Sequence, residues 1–114
     1  MAKFMVVYRA DPAATQQMMA NMTPEQSAAG MEAWQQWAAS CGPALVDLGS
    51  PLGPGGSHLE DGSTVPSSSG ICGFSIMEGD SMEAVTDMLK GHPHFRSPGN
   101  PGIEVVPFLL LPGM

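Results

Sequence analysis

Basic residues are scarce in this sequence: four Lys and Arg stand against eleven Asp and Glu, a formal net charge of -7 over 114 residues. Such a chain repels phosphate backbones and anionic lipid, so nucleic acid and membrane surfaces are excluded as partners. Cysteine is scarce as well. Cys41 and Cys72 show no C-x-x-C spacing, and a chain able to bury its own core needs no disulfide staple. Both are read as buried small hydrophobes. Long apolar runs are missing too: the opening stretch is far too short for a signal-peptide core or for a membrane span of about 20 residues. A cytoplasmic protein is expected.

Hydrophobic residues make up 43% of the chain and charged residues 13%, the balance of a globular protein rather than a disordered one. The length suits one domain over residues 1–114, since domains of roughly 100–150 residues are the commonest. From Lys3 to Arg9 the chain alternates Phe4, Val6 and Tyr8 with Met5, Val7 and Arg9, which predicts a central strand. The stretch Ala13 to Met22, polar and rich in methionine, is open to either a loop or a loose helical turn. Thr23-Pro24-Glu25-Gln26 then offers an N-cap, a proline at the first helical position and a glutamine that can bond back. The helix it starts carries Met31, Trp34, Ala38 and Cys41 on one stripe with Trp37 beside it, and stops at Gly42-Pro43.

A short strand is predicted over Ala44–Leu48, closed by Gly49, and a small hairpin excursion about Asp61-Gly62. The next strand, Ile71 to Met77, sets Cys72, Phe74 and Ile76 on one side and small residues on the other, which is expected to leave space. A second helix follows, capped by Asp80, with Met82, Val85 and Leu89 buried and Gly91 ending it. Ile103–Val106 is the last strand. The order βα, β, βα, β matches an α+β fold of the ferredoxin-like, split βαβ kind with an antiparallel sheet. The apolar end Phe108-Leu109-Leu110-Leu111 needs cover, and with a free sheet face it points to a homodimer.

Three stretches resemble the YCII-related family, also described as the YciI-like or DGPF domain family: Met31 to Trp37 with the exit Leu45 to Leu52; Gly73 to Ser81; and Gly91-His92-Pro93-His94-Phe95. With the first strand and the ending Gly102 to Phe108, the likeness covers nearly the whole chain through order and spacing rather than one diagnostic motif. The resemblance implies a dimeric α+β barrel with a pocket between helix and sheet. It also implies a family largely without assigned reactions, in which some relatives are small-molecule lyases, one of them a dehydrochlorinase of aromatic breakdown. Two departures stand out. Ser67-Ser68-Ser69-Gly70 replaces the Asp-Gly-Pro-Phe of many members, and Glu32 and Trp34 stand where one branch places a proposed catalytic histidine.

His92 and His94 follow the second helix, in a loop position where imidazole can serve as acid or base near neutral pH. The blander alternative has one of them capping helix carbonyls and the other filling a gap. His94 is the stronger candidate, expected to turn inward with Phe95. His58, His92 and His94 make a poor metal set, because Pro93 constrains the backbone and no carboxylate falls at a recognised spacing. No metal or other cofactor is expected. Asp47 interrupts an apolar strand, so it either faces solvent or is held in a cavity as an acid-base group. Arg9 is the cation placed to pair with Asp47 or with an anionic ligand.

Trp34 and Trp37 are either core or an aromatic wall. The methionines Met18, Met19, Met22 and Met31 either plug an irregular core or form a lid. The expectation is a lyase- or isomerase-type enzyme for a small apolar or aromatic ring compound, with His94 and Asp47 catalytic and Arg9 and Trp34 binding substrate. A non-catalytic ligand-binding or interaction module, accessory to a metabolic pathway, is the alternative.

Overall fold

The structure, a computed structural model, describes residues 1–113. Six strands and three helices follow in the order β1 (Ala2–Arg9), α1 (Pro12–Asn21), α2 (Pro24–Cys41), β2 (Leu45–Pro51), β3 (Gly56–His58), β4 (Thr64–Pro66), β5 (Ile71–Gly79), α3 (Met82–Met88) and β6 (Gly102–Pro107). Short 3-10 turns occupy Gly42–Ala44 and Pro93–Arg96. Strands β2, β5, β1 and β6 lie side by side in that order, and every neighbouring pair is antiparallel. This is the strand order of the split βαβ plan expected from the sequence. β3 and β4 form the small hairpin about Asp61-Gly62.

Alternation decides the two faces of the sheet. Phe4, Val6 and Tyr8 of β1 and Ser75 and Met77 of β5 face the helices and are buried, with Val6, Ser75 and Met77 fully so. Register pairs Val6 with Ser75, Phe4 with Met77 and Tyr8 with Gly73. The small side of β5 therefore leaves no empty space. The Tyr8 ring occupies it, lying 3.3 Å from where a Gly73 side chain would begin. Trp37 and Cys41 of α2 and Val85 and Leu89 beside them close the core from above. Trp37 Nε1 also donates 2.9 Å to the Met88 carbonyl, joining α2 to α3.

Met5, Val7, Phe74 and Ile76 lie on the opposite face, half-buried. The described chain is 19 Å through its thinnest dimension, which fits one sheet and one helix layer of about 10 Å. Among the described residues, the side chains of this second face stay partly exposed. Beyond β6, the Phe108 amide still bonds to the Lys3 carbonyl at 3.0 Å, after which Leu109 and Leu110 are almost fully exposed. Met114 of that tail lies outside the described residues.

Several elements differ from expectation for identifiable reasons. The methionine segment is a helix, α1, because the Asp11 carboxylate caps Ala13 N and Pro12 sits at the first turn; it buries no residue. Thr23 and Gln26 form the predicted capping box, but Met31 is exposed, since the first turns of α2 overhang the sheet. β2 does not stop at Gly49. It runs on to Pro51 through a bulge in which Gly49 adopts φ +81°, and a Cβ there would fall 1.7 Å from the Phe74 carbonyl oxygen. Ser81, not Asp80, caps α3 by accepting from the Ala84 amide, and Met82 is exposed.

Candidate functional site

The carboxyl end of β1 carries the polar chemistry of this fold. Chain alternation sends Tyr8 into the helix layer and Arg9 to the other face, while the loops before β5 and β6 close over the strand end. Ala10 N bonds to the Gly70 carbonyl at 3.0 Å and Asp11 N to the Gly99 carbonyl at 2.8 Å. Between these loops lies an open cleft of about 710 Å³, walled by Arg9, Asp11, Ser69, Asn100 and Glu104 with glycines at its base. Arg9 Nε donates 2.6 Å to the Ser69 carbonyl, and Nη1 pairs with Glu104 Oε1. The expected anion anchor is thus already occupied by a carboxylate of its own chain.

His94 sits directly behind this strand end. It is 5% exposed, and its Nε2 lies 2.9 Å from the Arg9 carbonyl. A carbonyl only accepts, so Nε2 carries a proton, and in the neutral ring Nδ1 has a lone pair for which no hydrogen-bond partner exists among the described residues. One residue therefore serves both sides: the Arg9 carbonyl orients His94 and the Arg9 guanidinium walls the cleft. His94 itself is not part of the cleft wall. Phe95 does not turn inward with it; its side chain is about half exposed.

His92 is fully buried among rings, with centroids 4.5 Å from Trp34, 4.3 Å from Trp37 and 5.0 Å from Tyr8. Its Nδ1 accepts the His94 amide at 2.9 Å and so caps the turn Pro93–Arg96. With Nδ1 accepting, the neutral ring carries its proton on Nε2, a buried donor with no hydrogen-bond partner among the described residues. Burial pushes this imidazole down to about 4, assisted by the positive charges of His94 and Arg96 when protonated. A proton added to Nδ1 would also break the cap. His92 is therefore a neutral brace at pH 7, one of the structural roles the sequence left open.

Tyr8 links the two histidines, lying 5.3 Å from His94 and edge-on to Trp34 at 4.9 Å. Its hydroxyl is 2.8 Å from Ser75 Oγ, which in turn donates 2.6 Å to the Leu48 carbonyl. Ser75 has one proton to give, so Tyr8 is the donor in their bond. Burial pushes the Tyr8 phenol up to about 12, against the lowering effect of the Ser75 hydrogen bond. It is a fixed donor, not a base. Trp34, half-buried, approaches His92 and Tyr8 but does not line the cleft.

Asp47 does not join this group. It is exposed on edge strand β2, where its Oδ1 accepts the Gly49 amide at 2.8 Å and stabilises the bulge. Register places Asp47 opposite Ile76, and Ile76 opposite Met5. Arg9 is four residues farther along β1 and two strands over, a separation of roughly 15 Å from strand spacing and rise. Within one chain Asp47 reaches neither Arg9 nor the histidine bonded to it. The cysteines are both free, with Cys41 buried and Cys72 half-buried against the core, its Sγ 3.4 Å from the Tyr8 carbonyl. Burial raises both thiols. Among the described residues no three His, Cys, Asp or Glu side chains converge as metal ligands, and His58 is exposed in the hairpin, 3.1 Å from Thr64 Oγ1.

Reading the sequence missed Tyr8, Ser75 and Glu104 as members of the polar network. A signal existed for Tyr8, the pairing of a large ring with the small side of β5 once the strand order is known. Glu104 is found the same way, because β6 neighbours β1 in that order.

No family model matches the sequence, and no curated protein matches it. Among solved structures, the chain is similar to the 5-chloro-2-hydroxyhydroquinone dehydrochlorinase TftG from Burkholderia phenoliruptrix AC1100, determined in complex with 2,5-dihydroxybenzoquinone. The two are 18% identical over 90% of each chain, with a TM-score of 0.47. A likeness at this level bears on neither the reaction nor the ligand of the present chain. Among the described residues, no helix is long and apolar enough to cross a membrane.

Proposed function

We propose that this chain is a cytoplasmic YCII-related domain over residues 1–114, a small-molecule enzyme of the lyase or isomerase type acting on a ring compound by proton transfer. His94 is the group that moves the proton, and the Arg9 end of β1 receives the substrate. The hydrogen bond from His94 Nε2 to the Arg9 carbonyl carries this reading, because it orients the imidazole and, in the neutral ring, leaves Nδ1 on the edge turned away from that carbonyl as the free base. A backbone carbonyl here does the orienting that a carboxylate does in an acid-base dyad. Asp47 has no part in the step within one chain. Trp34 backs Tyr8 and His92 as a wall rather than a platform for the ligand.

The active form is proposed to be a homodimer in which the uncovered sheet faces meet. Met5, Val7, Phe74, Ile76 and the tail leucines supply the apolar surface such a join needs, and completing the burial of each half-buried side chain contributes about 1 kcal/mol. Sedimentation should give twice the 11.9 kDa of one chain; a monomer at micromolar concentration would rule the dimer out.

The cleft wall contains neither His94 nor Asp47, and that observation favours the second reading, a ligand-binding module without catalysis. Solvent-deuterium exchange into a panel of cyclic ketones and hydroxylated aromatics separates the two. Exchange that depends on the protein and is lost in His94→Ala supports the enzyme. Saturable binding with no exchange in the unaltered protein supports the module.

A further inference from the structure

Glu104 occupies the position on Arg9 that a ligand carboxylate would take. The sheet register imposes this: Arg9 pairs with Gly102, which offers no side chain, and Glu104 pairs with Val7 on the same face one step back. The guanidinium is held from behind by the Ser69 carbonyl through Nε and from the side by Glu104 through Nη1. Arginine has five N–H donors, so donors remain that can reach into the cleft without disturbing either bond. A neutral carbonyl or hydroxyl oxygen can use them as they stand. A carboxylate seeking two donors of the fork must share Nη1 with Glu104 and sit beside its negative charge.

Charge points the same way. Arg9 is the one basic side chain in the cleft wall, against Asp11 and Glu104, in a chain that is already at -7. Asp11 is held by the Ala13 amide and stays as a second negative charge when an anion enters. We propose that Glu104 sets the charge selectivity of the Arg9 cleft, so that it takes an uncharged polar ring ligand, a phenol, amide or ketone, in preference to a carboxylate. This rests on the reading that the Arg9 end of β1 receives a ligand, and it names the class. The side chains of Arg9 and Glu104 are 43% and 51% exposed, so the preference is graded, roughly two- to fivefold, as suits the modest worth of an exposed pair.

Benzamide and benzoate, equal in shape and different in charge, are the probes, titrated into the full chain by NMR at pH 7.5. The unaltered protein should bind benzamide roughly two- to fivefold more tightly than benzoate. Glu104→Gln, which keeps the shape of an exposed side chain, should strengthen benzoate binding by roughly two- to fivefold and leave benzamide unchanged within error. Amide shifts at Ser69, Gly70 and Asn100 place the probe even where Arg9→Ala fails to fold. Binding at those amides with benzoate preferred, or with a ratio that Glu104→Gln leaves unmoved, overturns the charge rule while the ligand seat stands. No saturable binding of either probe to either protein, or binding away from those amides, overturns the rule and the seat together.

Discussion

Lowering the pH from 7.5 to 5 is expected to cost the fold about 2 kcal/mol through His92 alone. The imidazole is pushed down to about 4 in the folded chain from an ordinary 6.5, so between those values the unfolded chain binds a proton that the native one refuses. Stability from this group is fully present above pH 6.5 and is lost as the pH falls toward 4. The physical cause is local: rings of Tyr8, Trp34 and Trp37 surround and desolvate His92, its Nδ1 is engaged by the His94 amide, and the Arg96 charge and a proton on His94 oppose a further positive charge. In a chain of this size a loss of about 2 kcal/mol lowers the melting temperature by about 10 °C.

The assay compares urea midpoints at pH 7.5 and 5 for the unaltered chain and for His92→Asn. Asparagine keeps an acceptor at the Nδ1 position for the His94 amide but cannot titrate. The variant is less stable at pH 7.5, by about 1–3 kcal/mol for the lost ring packing, yet its midpoint should shift with pH by about 2 kcal/mol less than the parent's. Parallel pH dependence in the two proteins would refute the assignment of His92 as the buried neutral ring.

Ser75→Ala should cost about 2–3 kcal/mol, because it strands both the Tyr8 hydroxyl and the Leu48 carbonyl, whereas Tyr8→Phe costs about 1 kcal/mol since Ser75 keeps its acceptor. Urea unfolding of both and of the double variant should reveal a coupling above about 0.5 kcal/mol. Gly49→Ala is expected to lower stability by at least about 3 kcal/mol or prevent folding, given its positive φ and the collision with Phe74; a thermal melt within a degree or two of the parent's would contradict the bulge. Thr23→Ala removes the capping box at a cost of about 1 kcal/mol, and hydrogen exchange should show the loss confined to the first turns of α2, whose side chains are exposed.

The elements that were legible in the sequence are those whose local rules and tertiary burial agree. The capping box at Thr23, the alternation in β1 and the small side of β5 each state a local preference that packing then uses. α1 was not legible because nothing in it is buried: its cap and proline start a helix that no apolar stripe announces. Met31 and Met82 carry helical spacing, yet Met31 lies on an exposed turn of α2 and Met82 only borders the groove beside Ile103 and Val105 of β6, so periodicity overstates their burial. The extent of β2 was hidden by Gly49, which ends a strand by composition and, at positive φ, continues one through a bulge.

The site divides along the same physical line. His94 and Arg9 could be named as single residues because imidazole and guanidinium are chemically distinctive wherever they fall. Their relationships could not, since these are set by pairing between strands 60 to 95 positions apart in the chain. Asp47 shows the consequence: as a carboxylate interrupting an apolar strand it invites a catalytic role, and only the register, which sets it level with Met5, separates it from Arg9. The same register brings Glu104, a residue with no distinction in its own strand, onto the guanidinium. A carboxylate is thus supplied to Arg9 after all, from β6 instead of β2, and its arrival changes what the arginine can recognise: not a free cation waiting for an anion, but a neutralised pair with donors to spare for an uncharged oxygen.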